Sequence, residues 1–156
     1  MQNRKWSATL AVALACASAQ VAYAQMPTWS AEQKAVWAVV EASWVDDVAH
    51  NGKWPGSYAD PQMIAWSSEH PAPRGKDAIT RWARFNEGQG KTIQYEITPQ
   101  AIAISGNAAV ATYSLAIVRQ RGTDKPESSK EAVVETLVRT GGVWKYLATT
   151  GFSLGK

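Results

Sequence analysis

The segment Glu135-Thr136-Leu137-Val138-Arg139-Thr140-Gly141-Gly142-Val143-Trp144-Lys145-Tyr146 holds two β-rich runs around a glycine pair. Branched and aromatic side chains suit a pleated, half-buried surface. Gly141-Gly142 supplies the two positive-φ positions that a two-residue hairpin turn needs. The pattern predicts a strand from Lys130 to Thr140, a tight turn, and a last strand from Val143 to Thr150. Upstream, Ala108 to Arg121 is a longer run of small and β-branched residues, entered through Gly106-Asn107. Thr92 to Thr98 and Ala101 to Ser105 are two further runs, and Pro99 between them is expected to end the first. Gly122 to Ser129, with Asp124 and Pro126, reads as a loop.

Ahead of the strands the apolar period changes from two to about 3.6. Ser30-Ala31-Glu32-Gln33 is a capping box, in which the Ser hydroxyl caps a helix and Gln33 reaches back. The helix is expected to run to about Ala49, with Val36, Trp37, Val40, Trp44 and Val48 on one stripe. Asn51-Gly52 ends it, Trp54 to Asp60 reads as loop or a short irregular helix, and Met63 to Ser67 as a short strand. Pro71-Ala72-Pro73 cannot lie inside a helix. A second helix is expected from Lys76 to about Asn86, burying Ile79, Trp82 and Ala83. Helices first and strands afterwards mark an α+β fold, with the helices on one face of a curved antiparallel sheet.

The chain has 156 residues, one Cys and eight Trp, with a formal charge of +3. That length suits one packed domain. Cys16 alone excludes an internal disulfide framework and a Cys-cluster zinc site. The first residues carry Arg4 and Lys5, then Trp6 to Ala22 holds no charge, and Ala22-Tyr23-Ala24 puts small residues where a signal peptidase cuts. This is the pattern of a secretory signal peptide over residues 1–24, cleaved after Ala24, which leaves a secreted or periplasmic domain over residues 25–156. Two other readings are a membrane-spanning helix, for which about 17 apolar residues are short, and lipid attachment at Cys16. Lipid attachment wants a large aliphatic residue where Ala13 stands. Losing Arg4 and Lys5 takes the basic residues from 16 to 14 against 13 acidic ones, a net charge of +1. No basic stripe with interleaved aromatics remains, so nucleic-acid binding is not expected.

Three segments carry a resemblance: Tyr58-Ala59-Asp60-Pro61-Gln62-Met63-Ile64-Ala65-Trp66, Arg74-Gly75-Lys76-Asp77-Ala78-Ile79, and the closing strand–Gly turn–Trp-Lys ending at Phe152-Ser153. In this order they resemble the nuclear transport factor 2-like superfamily, and its SnoaL-like branch in particular, over roughly Trp29 to Ser153. The resemblance implies a cone-shaped α+β barrel whose bent sheet wraps the first helix and leaves a pocket at its open end. It also implies pairing of two copies through the outer sheet face. The superfamily holds isomerases, dehydratases, cyclases and binding modules, so fold does not settle function.

In the steroid-isomerase members a carboxylate base stands on the short strand, and the matching position here is Trp66, which cannot abstract a proton. A second acidic position falls near Glu135. Alternation puts Val133, Glu135, Leu137 and Arg139 on one side and Ala132, Val134, Thr136 and Val138 on the other; both sides are mixed, so periodicity leaves the facing of Glu135 open. Asp47 lies at the edge of the first helix's stripe, and His70 lies beside Glu69 near the expected entrance. With only His50 and His70 and no acidic cluster, no metal site and no cofactor is expected. Trp44 and Trp66 face the pocket in the related fold, and with Tyr95 and Thr112 they are the candidate ligand contacts for a small apolar or aromatic molecule. Three functions follow: a ligand-binding domain; a cofactor-free isomerase, cyclase or lyase using Glu135 or Asp47 with Tyr58 or His70; or a homodimeric assembly module.

Overall fold

The computed structural model describes residues 28–68 and 70–155. The segment expected to be a signal peptide, with Cys16, lies outside the described residues. Helix α1 spans Ala31–Val48 and begins with the expected box: Ser30 Oγ accepts from the Gln33 N–H at 3.2 Å, and Gln33 Oε1 accepts from the Ser30 N–H at 2.9 Å. Gln33 also donates to the Ile102 carbonyl at 2.7 Å, which ties the cap to the sheet. Val36, Trp37 and Val40 are buried, as the stripe requires. Towards the C-terminal end the buried positions are Ser43 and Asp46, while Trp44 and Val48 are half-buried.

The remaining elements are β1 (Ala59–Ser67), β2 (Arg74–Gly75), α2 (Lys76–Glu87), β3 (Gly90–Ser105), β4 (Ala108–Arg121), β5 (Glu127–Thr140) and β6 (Val143–Ser153). They form one curved, unclosed sheet in the order β2-β1-β6-β5-β4-β3. Gly141 and Gly142 take φ of 59° and 82°, so the β5–β6 connection is the two-residue turn that the glycine pair requires. On β4 every second residue from Ala109 to Ile117 is buried, and on β5 the buried set is Val133, Glu135 and Leu137. Helix α1 covers this inner face, with Trp37 edge-on to Tyr113 at 5.7 Å between centroids.

Several expectations need correction. The sheet is not wholly antiparallel, because β1 runs parallel to β6. β1 starts four residues earlier than Met63, and its pairing skips from Ala59 to Ile64 around Pro61. Pro99 does not end a strand. It sits inside β3, the outermost strand on its side, where the pairing shifts between Pro99 and Ala101 and an absent N–H costs little. The loop after β4 is shorter than expected, since pairing resumes at Glu127 opposite Arg119. In α2 only Ile79 is buried; Trp82 is 42% exposed. Its ring is taken up outside the core by Phe85, stacked at 5.8 Å, by the His70 edge and by the Arg74 guanidinium.

Candidate ligand cavity

A break in the β6 ladder shapes the cavity. Leu137 pairs with Tyr146 but Thr136 pairs with Ala148, so Leu147 is an extra residue in β6. Such a bulge bends the strand and resets its alternation. Trp144 and Tyr146 point inward before it; Thr149 and Gly151 line the cavity after it. Thr149 thereby comes opposite Glu135. The cavity encloses about 240 Å³. Its floor is β4, β5 and β6, with Tyr113, Glu135, Tyr146 and Thr149. Ser43, Trp44 and Asp47 of α1 form one wall. Trp54, Trp66, Arg74 and Ile79 close the other side.

Glu135 is the chemical centre of this space. It is 5% exposed. Trp44 Nε1 donates to Tyr113 Oη at 2.9 Å, and Tyr113 Oη donates to Glu135 Oε1 at 3.0 Å. The phenol is the donor because burial, together with the nearby Glu135 charge, pushes Tyr113 far above its usual range and keeps its proton in place. Glu135 Oε2 is buried and has no hydrogen-bond partner among the described residues. Burial pushes the Glu135 carboxyl up to about 8; Thr149 and Tyr113 oppose that rise without cancelling it. At neutral pH the group is therefore mainly a neutral acid. With Oε1 already accepting, its proton belongs on Oε2.

Tyr146 is held in a similar way. Ser43 Oγ has one proton and donates it to the Val40 carbonyl at 2.8 Å, so Tyr146 Oη, 2.8 Å from Ser43 Oγ, is the donor of that pair. Burial raises the Tyr146 phenol well above its ordinary value. Asp47 faces the cavity from α1, and its carboxyl is also raised by burial, against the opposing charges of Arg119 and His50. Its neighbour Asp46 points elsewhere. It accepts from Tyr58 Oη, from Asn51 Nδ2 at 2.6 Å and from Lys53 Nζ at 3.3 Å, and the Tyr58 and Asn51 bonds hold its carboxyl below the usual range.

The cavity brings together four of the residues singled out in the sequence: Glu135, Asp47, Trp44 and Trp66. The other four lie outside its lining. Tyr58 serves Asp46 and the Ala42 carbonyl, because its strand lead-in passes behind the end of α1. His70 sits against the Trp82 edge, and its carbonyl accepts from Trp66 Nε1 at 2.9 Å. Tyr95 stacks on Trp44 at 5.7 Å and backs that ring. Thr112 occupies the opposite sheet face from Tyr113, with its hydroxyl 3.4 Å from the Ala101 carbonyl. Sequence reasoning did not assign Tyr113, Tyr146, Arg74 or Thr149 to the site. The even alternation Ala109, Ala111, Tyr113, Leu115, Ile117 carries the signal for Tyr113; Thr149 has none, since the bulge reverses its face. No helix among the described residues is long and apolar enough to cross a membrane.

No protein-family model matches the sequence, and no curated protein does either. Among solved structures the chain is similar to a ketosteroid isomerase-like protein from Erwinia carotovora atroseptica, with a TM-score of 0.72 at 11% identity over 82% of this chain and 100% of that one. It is similar to a nuclear transport factor 2-like protein from Cytophaga hutchinsonii, with a TM-score of 0.68 at 10% identity over 80% and 100%. A nuclear transport factor 2-like protein with a cystatin-like fold from Novosphingobium aromaticivorans gives a TM-score of 0.64 at 13% identity over 79% and 82%. At such identities the likeness speaks for architecture: the chain has the α+β cone of the nuclear transport factor 2-like, cystatin-like fold.

Proposed function

We propose that the cavity binds a small molecule with an apolar or aromatic body and a carbonyl oxygen that accepts a hydrogen bond from Glu135. The carrying observation is the buried Glu135 carboxyl, fixed by Tyr113 through one oxygen and left without a partner on the other. A buried polar atom without a partner costs about 1–3 kcal/mol, and a ligand carbonyl would relieve that cost. Trp44, Trp54 and Trp66 supply apolar wall. The test is binding of 2-acetylnaphthalene, followed by Trp fluorescence. Binding is expected to be strongest below pH 8 and to fall above it, as the carboxyl ionises. Glu135→Gln, which still donates, should bind with no such pH dependence. Glu135→Leu should lose about tenfold or more, in line with loss of one buried hydrogen bond. Unchanged binding by the Leu variant would remove the reading.

A second reading adds chemistry, and the presence of Asp47 on the same cavity favours it. An ionised Asp47 takes a proton from the carbon next to the carbonyl, and the Glu135 O–H stabilises the oxygen as negative charge develops there. This is the outline of a cofactor-free isomerase, cyclase or lyase. Exchange of α-protons of the bound ketone with D2O would reveal it, and Asp47→Asn should abolish the exchange while ketone binding persists.

From the pattern of residues 1–24 alone we infer a secreted or periplasmic domain cut after Ala24, to be checked by N-terminal sequencing of exported protein. Two copies pair through the outer sheet face. Support comes from Val110 on β4, 39% exposed, and Phe152 on β6, 52% exposed, both on that face. Sedimentation equilibrium of the wild type against Val110→Lys tests the pairing.

A further inference from the structure

The strand registers place one row of residues straight across the sheet. Glu135 on β5 pairs with Thr149 on β6; Thr149 pairs with Ala65 on β1; Ala65 pairs with Arg74 on β2. Partners in a ladder share a face, and all four residues line the cavity. The row therefore has an acid at one end, a guanidinium at the other, and two small side chains between them. Three strand spacings separate the ends, roughly 14 Å along the sheet before the two side chains reach inward.

Among the described residues Arg74 makes no ion pair. The ion pairs among the described residues belong to Lys53, Arg119 and Arg139. Arg119 lies 3.9 Å from Glu131 and also opposes the charge on Asp47, so it serves the two other carboxylates on the cavity. The Arg74 guanidinium instead lies over the Trp82 ring, 5.5 Å from its centroid, and its Nε is buried without a hydrogen-bond partner among the described residues. A ring face orients a guanidinium but leaves its in-plane donors open, and those donors match a carboxylate two at a time.

Resting on the carbonyl-binding reading above, we propose that Arg74 selects the ligand class: the cavity takes monocarboxylic acids with a one- or two-ring apolar body, carboxylate on Arg74 and carbonyl on Glu135. Thr149 and Ala65 are small because the body of the ligand lies over them. The two ends of the row act separately, one on charge and the other on the neutral oxygen.

The test uses 6-acetyl-2-naphthoic acid and its primary amide, which share size, ring and ketone and differ in charge. Trp fluorescence titration at pH 6.5 reads both against wild type, Arg74→Met, Arg74→Lys and Glu135→Leu, each checked for folding by circular dichroism. The acid should bind wild type at least tenfold tighter than the amide. Arg74→Met should bring the two within about twofold by weakening the acid alone, and Arg74→Lys should fall between. Equal binding of acid and amide by wild type, or equal loss of both in the folded Arg74 variants, overturns the selection. In either case amide binding that still drops in Glu135→Leu keeps the carbonyl reading intact. Failure of both probes to bind wild type overturns both.

Discussion

Asp46 and Glu135 are both buried carboxyls, and their surroundings leave them in opposite charge states. At the end of α1, Asp46 gathers three donors from Tyr58, Asn51 and Lys53, and they hold it ionised. On the sheet floor Glu135 has one phenol on one oxygen, and burial holds it protonated up to about 8. Donor number against desolvation decides the charge in each case. The first region spends its donors on pinning the loop after α1, and nothing is left over. The second leaves an oxygen uncommitted beside an open volume. A fully satisfied polar cluster is structure; an incompletely satisfied one facing a cavity is the better place to look for a ligand.

The largest expected effect separating the two regions is on stability against pH. Glu135 rises from 4.5 in the unfolded chain to about 8 in the folded one. Between those values the folded state binds more protons, so its stability falls as pH rises, by up to about 1.4 kcal/mol per pH unit. Below 4.5 the contribution is complete, and it is lost through 8. Urea unfolding of wild type minus Glu135→Gln across pH 5 to 8.5 measures this slope; a flat difference would break the comparison. Next comes Tyr113→Phe, which strips the phenol donor from Glu135 and the acceptor from Trp44. It should cost about 1–3 kcal/mol at pH 6 and move the Glu135 titration further up, read by carboxyl chemical shifts.

Asp46→Asn has the opposite sign of pH dependence. The native carboxyl is held below its ordinary 3.8, so its contribution is present above that value and lost as pH falls below it. The variant should therefore be less stable than wild type at pH 7, by less than Tyr113→Phe, and the gap should close towards pH 3. The smallest effect belongs to a residue outside both regions. Trp82→Ala removes a ring that is 42% exposed and should shift unfolding by no more than about 1 kcal/mol, as measured by thermal melts.

Local patterns carried much of this fold. The Ser30–Gln33 box, the alternation along β4 and the paired glycines of the last hairpin are each fixed by neighbours a few residues away. What escaped was set by distant partners. Pro99 looked like a strand end, and only its place on the outermost strand makes it tolerable. Trp82 fits a helical stripe, but Ile79 is the one residue of α2 that is buried, and the Trp82 ring packs on Phe85 and Arg74. The inward face of Glu135 could not be read from β5, whose two sides are equally mixed; Val133 and Leu137 are buried in the core, and Glu135 follows them by position. The parallel pairing of β1 with β6 joins residues some eighty positions apart, and Arg74 reaches the cavity only through it.

Leu147 makes the length of β6 as informative as its composition. With one residue more than its partner needs, the strand keeps Trp144 and Tyr146 inward and then restores Thr149 and Gly151 to the same side. Deleting Leu147 should regularise the ladder while leaving each cavity residue on its face, at the loss of the local bend. A flattened ladder that keeps Leu147 would instead bring Ala148, Thr150 and Phe152 inward and fill the cavity with a phenyl ring. The bulge at Leu147, rather than any cavity side chain, thus stands between a hollow cone and a plugged one.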